Sequence, residues 1–283
     1  MKSILKKIGA GKVYAFVVRQ YDRFFSSRIE CSIGDIVLQR GIPSNNQLLL
    51  TSRLLDVENY IGSDNQTFPY QNLISYKKYG KNHKEEQGNL HFKELIESYR
   101  QYGYDTNSLI TCDCDLSLMD GNHRMGLHLF QKIEEVNVRV IKRKAIKEYG
   151  GDWYYRMNVP TAIMENLYNK YNEIQQWLIT TGNTFCAVLF SNNEDIVKNT
   201  ILDMSRLTNV LKVSHLRGGV FLCLSFNDPK YVVDNGKLVS QRALYVESII
   251  HNRITPEDNF YISRNCLEGK TLHRKYFQLE DEV

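Results

Sequence analysis

Residues Leu116 to Ile141, LSLMDGNHRMGLHLFQKIEEVNVRVI, leave few ways for this part of the chain to fold. Leu116, Leu118 and Met119 make an apolar strand end. Asp120-Gly121-Asn122 follows, and glycine and asparagine enter the left-handed region cheaply, so a tight turn is expected. Met125, Leu127, Leu129 and Phe130 continue an apolar run of helical length, and Val136, Val138 and Val140 alternate as a strand does. The expected order is strand, turn, helix, strand. Asn122, His123 and Arg124 then fall in the first turn of the helix. Unbonded main-chain N–H groups and the positive end of the helix dipole meet there, which favours an anion such as phosphate. Arg124 adds a planar cation suited to phosphate oxygens.

The same turn carries candidate chemistry. His123 has the residue type for acid or base work near neutral pH. Asp120 can hold a magnesium ion or accept a hydroxyl proton. Plainer roles compete: an aspartate in a turn often bonds its own backbone, and a histidine at a helix start often caps it. The crowding of an acid, an imidazole and a guanidinium at one helix N-terminus favours function.

Asp120-Gly121-Asn122-His123-Arg124, with its apolar helix and Val-x-Val-x-Val strand, resembles the signature of the ParB/sulfiredoxin-like superfamily. That group includes partition ParB proteins, sulfiredoxins and free-serine kinases. Phe92 to Ser98, Gly103-Tyr104-Asp105 and Leu109-Ile110 look like the helix and strand that precede the signature. The resemblance covers residues 30–145. Sulfiredoxins carry a cysteine just before the His-Arg pair, where this chain has Asn122. The Glu-Arg-Arg pattern of CTP-hydrolysing partition proteins is missing, and no helix-turn-helix is recognised after residue 145. The free-serine kinases, with a turn of the Asp-Gly-His-x-Arg type, look closest.

That resemblance implies a phosphotransferase acting on a small hydroxylated substrate or a sugar. It implies ATP or ADP as the nucleotide, its phosphate cradled by Gly121, Asn122, His123 and Arg124, and Mg2+ at Asp120. Arg40 and Ser44, in an early loop, are nucleotide contacts by resemblance only. A carboxylate would deprotonate the acceptor; Glu30 lies where the family's base sits, and Asp56 and Glu58 compete. A glycosyl or phosphoribosyl transferase using the same turn is a variant. A nucleic-acid binder or nuclease is the alternative from another class, and a net charge of only +4 argues against it.

The 283 residues suit two modest domains, or one domain with a large extension. The reading divides them into a basic amphipathic segment (1–25), a ParB/sulfiredoxin-like domain (26–150) and a smaller α/β domain (151–283), a mixed α/β (α+β) chain. In the first segment Lys2, Lys6, Lys7, Lys12, Arg19 and Arg23 interleave with apolar residues. Such a helix can lie on an anionic membrane surface or pack on the protein. This style of start suggests enzymes of surface-polysaccharide synthesis at the inner membrane. Six cysteines without a CxxC pair, no secretory signal and no apolar run of about 20 residues suggest a reduced, cytoplasmic setting.

Elsewhere the pattern predicts a strand and turn over 29–38, with Gly34 and Asp35 in the turn, and a helix or strand–helix junction over 48–61. A long loop around short elements, a lid or more simply a solvated insertion, is expected over 62–90, and a helix over 91–102 ending at Gly103. Cys112-Asp113-Cys114-Asp115 reads as a hairpin turn rather than a zinc site. Helices over 152–177, 194–207 and 240–254, with strands over 184–190, 210–216 and 220–226, complete the expected α/β arrangement.

Overall fold

The computed structural model describes residues 24–38, 45–62, 67–73, 85–103, 109–142 and 156–277, together with 18, 20–22, 105 and 154. Most of the basic segment 1–25, the basic run after Lys142, the Gly150-Gly151 boundary, Arg40 and Ser44 lie outside the described residues.

The first half contains β1 (Ser27–Ser32), α1 (Ile33–Val37), α2 (Asn45–Gly62), α3 (Glu85–Tyr102), β2 (Ile110–Cys112), β3 (Leu118–Asp120), α4 (Asn122–Phe130) and β4 (Glu135–Val140). Its sheet has the order β1-β4-β2-β3; β2 and β4 run parallel and the other pairs antiparallel. Ile29, Cys31, Ile110, Cys112, Val136 and Val138 are buried, while Arg28, Glu30 and Asn137 alternate with them towards the other face. Leu50 and Leu54 of α2, with Met125 and Leu129 of α4, pack on the apolar face. Gly126 lets α2 and α4 approach: a Cβ there would stand 2.8 Å from Arg53 Cβ and 3.0 Å from its carbonyl carbon. Phe92, Ile96 and Tyr99 of α3 join Val57, Tyr60, Phe68 and Leu127 in a second cluster. The main chain of Gly103 donates to Tyr99 at φ +74, closing α3 as expected.

Two expectations need correction. Gly34 and Asp35 are helical rather than in a turn; the Ser32 hydroxyl accepts from the Gly34 amide at 3.1 Å and starts α1. Every residue of α1 is buried, and one helical turn points Ile33, Ile36 and Val37 into the core. Within 62–90 residues 69–73 form a short helix, one of the short elements expected there, but α3 begins at Glu85, inside the span given to the loop.

The second half contains α5 (Thr161–Thr180), β5 (Phe185–Phe190), α6 (Glu194–Leu207), β6 (Asn209–Leu216), β7 (Gly219–Ser225), β8 (Tyr231–Asp234), β9 (Lys237–Ser240), α7 (Gln241–His251), β10 (Asn259–Ile262) and α8 (Cys266–Phe277). Its antiparallel sheet has the order β10-β5-β7-β6. Asn193 caps α6 through the amides of Asp195 and Ile196. The β8–β9 hairpin, β10 and α8 were not expected. The hairpin turns on Asn235 and Gly236, both at positive φ (48° and 75°), as an Asn-Gly turn requires.

The fold is mixed α/β, with one buried cluster running from Ile29 and Val138 to Leu189 and Leu222. Polar contacts join the halves: Tyr231 donates its hydroxyl to Asp35 at 2.7 Å, and Ser32 donates to Asn183 at 2.9 Å. Lys270, 6 % exposed, reaches Glu134 and Glu135, each at 2.6 Å. Among the described residues no helix is long and apolar enough to cross a membrane.

Candidate functional site

The strand–turn–helix–strand order expected around the central turn is present as β3, α4 and β4. Gly121 carries the chain from β3 into α4 at φ 98° and ψ 20°. A Cβ there would meet Ile110 Cγ1 at 3.2 Å and Arg124 Nη2 at 3.3 Å, so conformation and space both select glycine. Gly121 is also the N-cap, and no side chain closes the helix start. Among the described residues nothing accepts from the Asn122 or His123 amides, and Asn122 Oδ1 is buried without a partner. A start of this kind presents N–H groups and a partial positive charge.

Arg124 is fixed beside that start. Its Nη1 donates to the Leu109 carbonyl at 2.8 Å, its Nη2 lies 3.6 Å from Asp120 Oδ2, and its side chain is 19 % exposed. The Asp120 side chain is 78 % exposed and accepts from the Gly121 amide at 2.8 Å. The turn therefore has a solvent-facing carboxylate and a sheltered guanidinium.

His123 is held from behind. Its Nε2 lies 2.6 Å from Gln71 Oε1, and its ring centroid is 4.3 Å from that of Phe92. Gln71 Nε2 donates to Asn89 Oδ1 at 2.7 Å, which turns the Gln71 carbonyl towards the imidazole. His123 thus donates from Nε2 and keeps Nδ1 as an acceptor. Burial, then Arg53 and Arg124, push its pKa down to about 3. The imidazole is neutral at pH 7, outside the range in which it exchanges protons as an acid.

Gln71 is itself anchored. Asp56 Oδ2 accepts its amide at 2.7 Å, and Asp56 Oδ1 accepts the Tyr70 amide at 2.9 Å. Asp56 is fully buried; burial lifts its pKa to about 6, opposed by Arg53 and the two N–H groups. With both oxygens engaged it supports the site and does not face a substrate. Glu58 pairs with Lys170 of α5 at 3.2 Å. Glu30 is on β1, at the opposite edge of the sheet from Asp120 on β3. With two strands between them, the lateral separation is about 14 Å. The structure thus gathers Asp120, Gly121, Asn122, His123 and Arg124 and leaves Glu30 apart.

Sequence reasoning missed Gln71 and Asn89, which hold His123 from two other segments of chain; no local pattern marks them. Among the described residues, no group of three or more His, Cys, Asp or Glu side chains could hold a metal. Asp120 is a single carboxylate, which suits an ion bound through one carboxylate and substrate phosphates. Cys112 is buried, and Asp113 Oδ1 accepts from the amides of Asp115 and Ser117, so the CDCD segment is the expected hairpin turn.

Two clefts lie in the second half, away from this turn. One, of about 460 Å³, is lined by Arg206, Lys230, Arg242, Asp228 and neighbours. The other, of about 480 Å³, lies between the start of α6 and the β6–β7 turn. Searches found no matching family model, curated protein or solved structure.

Proposed function

We propose that the Asp120–Arg124 turn seats the phosphate of a phosphorylated small molecule. On this reading the chain is a ParB/sulfiredoxin-like phosphotransferase of the free-serine-kinase type. The observation that carries it is the start of α4: no side chain caps it, its first amides meet no acceptor among the described residues, and Arg124 is fixed beside it.

The roles follow from chemistry. The amides of Asn122 and His123 and the Arg124 guanidinium hold phosphate oxygens. Neutral His123 offers Nδ1 as an acceptor and keeps the loop near Gln71 in place. Asp120, exposed at the lip, is the carboxylate available to a magnesium ion or to the acceptor hydroxyl. Bound Mg2+ would neutralise charge on the transferring phosphoryl group. Phosphoryl transfer asks mainly for positioning and charge neutralisation, so this small set suffices. ATP or ADP is the proposed nucleotide, and a small hydroxylated molecule or a sugar the acceptor.

The test is a thermal-shift panel of ATP, ADP and sugar phosphates, with and without Mg2+, because a ligand bound to the native state raises its stability. A shift that disappears in Arg124→Ala supports the reading. An undiminished shift and undiminished transfer in that variant place the site elsewhere.

A peripheral membrane role has one observation in its favour. Phe24 and Phe25, at the end of the basic segment, are 84 % and 49 % exposed. Aromatic side chains beside basic residues suit an anionic bilayer surface.

A further inference from the structure

Cys186 on β5 stands directly opposite Cys223 on β7 in an antiparallel ladder. Its main chain points the other way: the Cys186 N–H donates to Ser263 Oγ at 2.9 Å, and its carbonyl accepts from the Ser263 amide at 2.8 Å. A strand residue sends its N–H and C=O to the same side, so Cys186 and Cys223 are a non-hydrogen-bonded pair. Such pairs bring Cα atoms to about 4.5 Å, with side chains closer than in the alternate pairs. A disulfide accepts Cα separations of about 4.4–6.8 Å. The two sulfurs can therefore join without either strand slipping.

The surroundings distinguish the two thiols. Both sit in the cluster with Ile179, Val188 and Phe221, beneath Leu272 and Phe277 of α8. The ladder continues from Cys223 to Lys212 on β6, an exposed residue whose ammonium lies 5.9 Å from the Phe277 ring. The row thus leads from solvent at Lys212 to Cys223 and then Cys186. The neighbouring Cys186 thiol and, less, the Thr184 hydroxyl draw the Cys223 thiol below its ordinary range against burial, with Lys212 assisting. Burial holds the Cys186 thiol well above that range.

We infer that Cys186 and Cys223 are a dithiol site that closes to a cross-strand disulfide on two-electron oxidation by a hydroperoxide. The Cys223 thiolate attacks a peroxide oxygen; the O–O bond breaks and sulfur becomes a sulfenic acid. With hydrogen peroxide, the departing hydroxide takes a proton and leaves as water. Cys186 sulfur then attacks Cys223 sulfur, the S–O bond breaks, and a second water leaves with the Cys186 proton. Two thiols and one peroxide give one disulfide and two waters.

The full chain is treated with hydrogen peroxide, quenched with N-ethylmaleimide, unfolded and digested for mass spectrometry. The expected product joins the Cys186 and Cys223 peptides, is lighter than the two thiol peptides by two hydrogen atoms, and separates with dithiothreitol. Cys266→Ala should form the same link. Recovery of both cysteines as alkylated thiols or as sulfinic acids, with no joined peptide, overturns the inference. A link from Cys186 to Cys266 overturns it too. The primary readout uses the unaltered chain, so a variant that fails to fold does not blunt the test.

Discussion

Replacing Gly121 with alanine perturbs the turn and the cation beside it together. At φ 98°, an L-residue pays about 1–2 kcal/mol for the left-handed region. The added methyl also needs space. Its contact with Ile110 Cγ1 would be 3.2 Å, and Ile110 is fully buried, so that side has little room to give. The other contact, 3.3 Å to Arg124 Nη2, falls on a flexible side chain. The guanidinium moves first, lengthening its 2.8 Å bond to Leu109. The total cost is about 2 kcal/mol, a drop in Tm of about 3 °C at an unfolding entropy of about 2 cal/mol/K per residue. If Arg124 is a phosphate ligand, one charge-assisted hydrogen bond worth about 1.5–3 kcal/mol is weakened as well, lowering affinity for ATP roughly tenfold or more. Differential scanning calorimetry gives the first number and isothermal titration the second. A variant that melts within about 1 °C of the parent and binds ATP equally well would refute both the geometric and the functional arguments.

Arg124→Ala should abolish the ATP-induced thermal shift, whereas Arg242→Ala, in the distant basic cleft, should leave it intact; the reverse result moves the anion site to that cleft. Tyr231→Phe leaves buried Asp35 without one donor and should cost about 1–3 kcal/mol in urea unfolding, with an unchanged m-value; a midpoint equal to the parent's contradicts this. His123→Gln should alter acid stability. The folded-state pKa of about 3 lies below the ordinary 6.5, so the unfolded chain binds the extra proton and His123 destabilises the fold as pH falls from 6.5. Relative to the parent, the variant should therefore gain Tm between pH 6.5 and 4; a pH-independent difference counts against a buried neutral imidazole. Phe24→Ala with Phe25→Ala should release the protein from anionic vesicles, and unchanged co-sedimentation removes the membrane role.

The legible parts were those whose signals are local. Asp120-Gly121-Asn122 before an apolar helix fixed the turn because φ preference and periodicity both act within a few residues. Gly103 and Asn193 were readable for the same reason. Gly34 and Asp35 misled, because their turn preference yields to the burial of all of α1. The β8–β9 hairpin did carry a local signal, Asn235-Gly236, that was overlooked. The support of His123 had none: Gln71 is 52 residues away in sequence, and its own anchor, Asp56, lies on a different helix.

That support changes what the turn can do with protons. His123 is neutral at pH 7, and its Nε2–H is committed to Gln71. Main-chain amides do not titrate. His123 and those amides therefore change no charge between pH 6 and 8. pH dependence of phosphate-monoester binding in that range comes from the ligand, whose second ionisation falls near 6, and from Asp56 behind Gln71, which burial lifts to about 6. Affinity for a sugar phosphate should rise as pH increases from 5 and flatten above 7. His123→Gln should keep the same profile even where its absolute affinity is lower, because glutamine removes no titrating group from that window. Isothermal titration at half-unit steps measures this directly. A bell-shaped profile in the parent, flattened in His123→Gln, would mean that the imidazole does take up a proton near neutrality, and the assignment of a neutral histidine would fall.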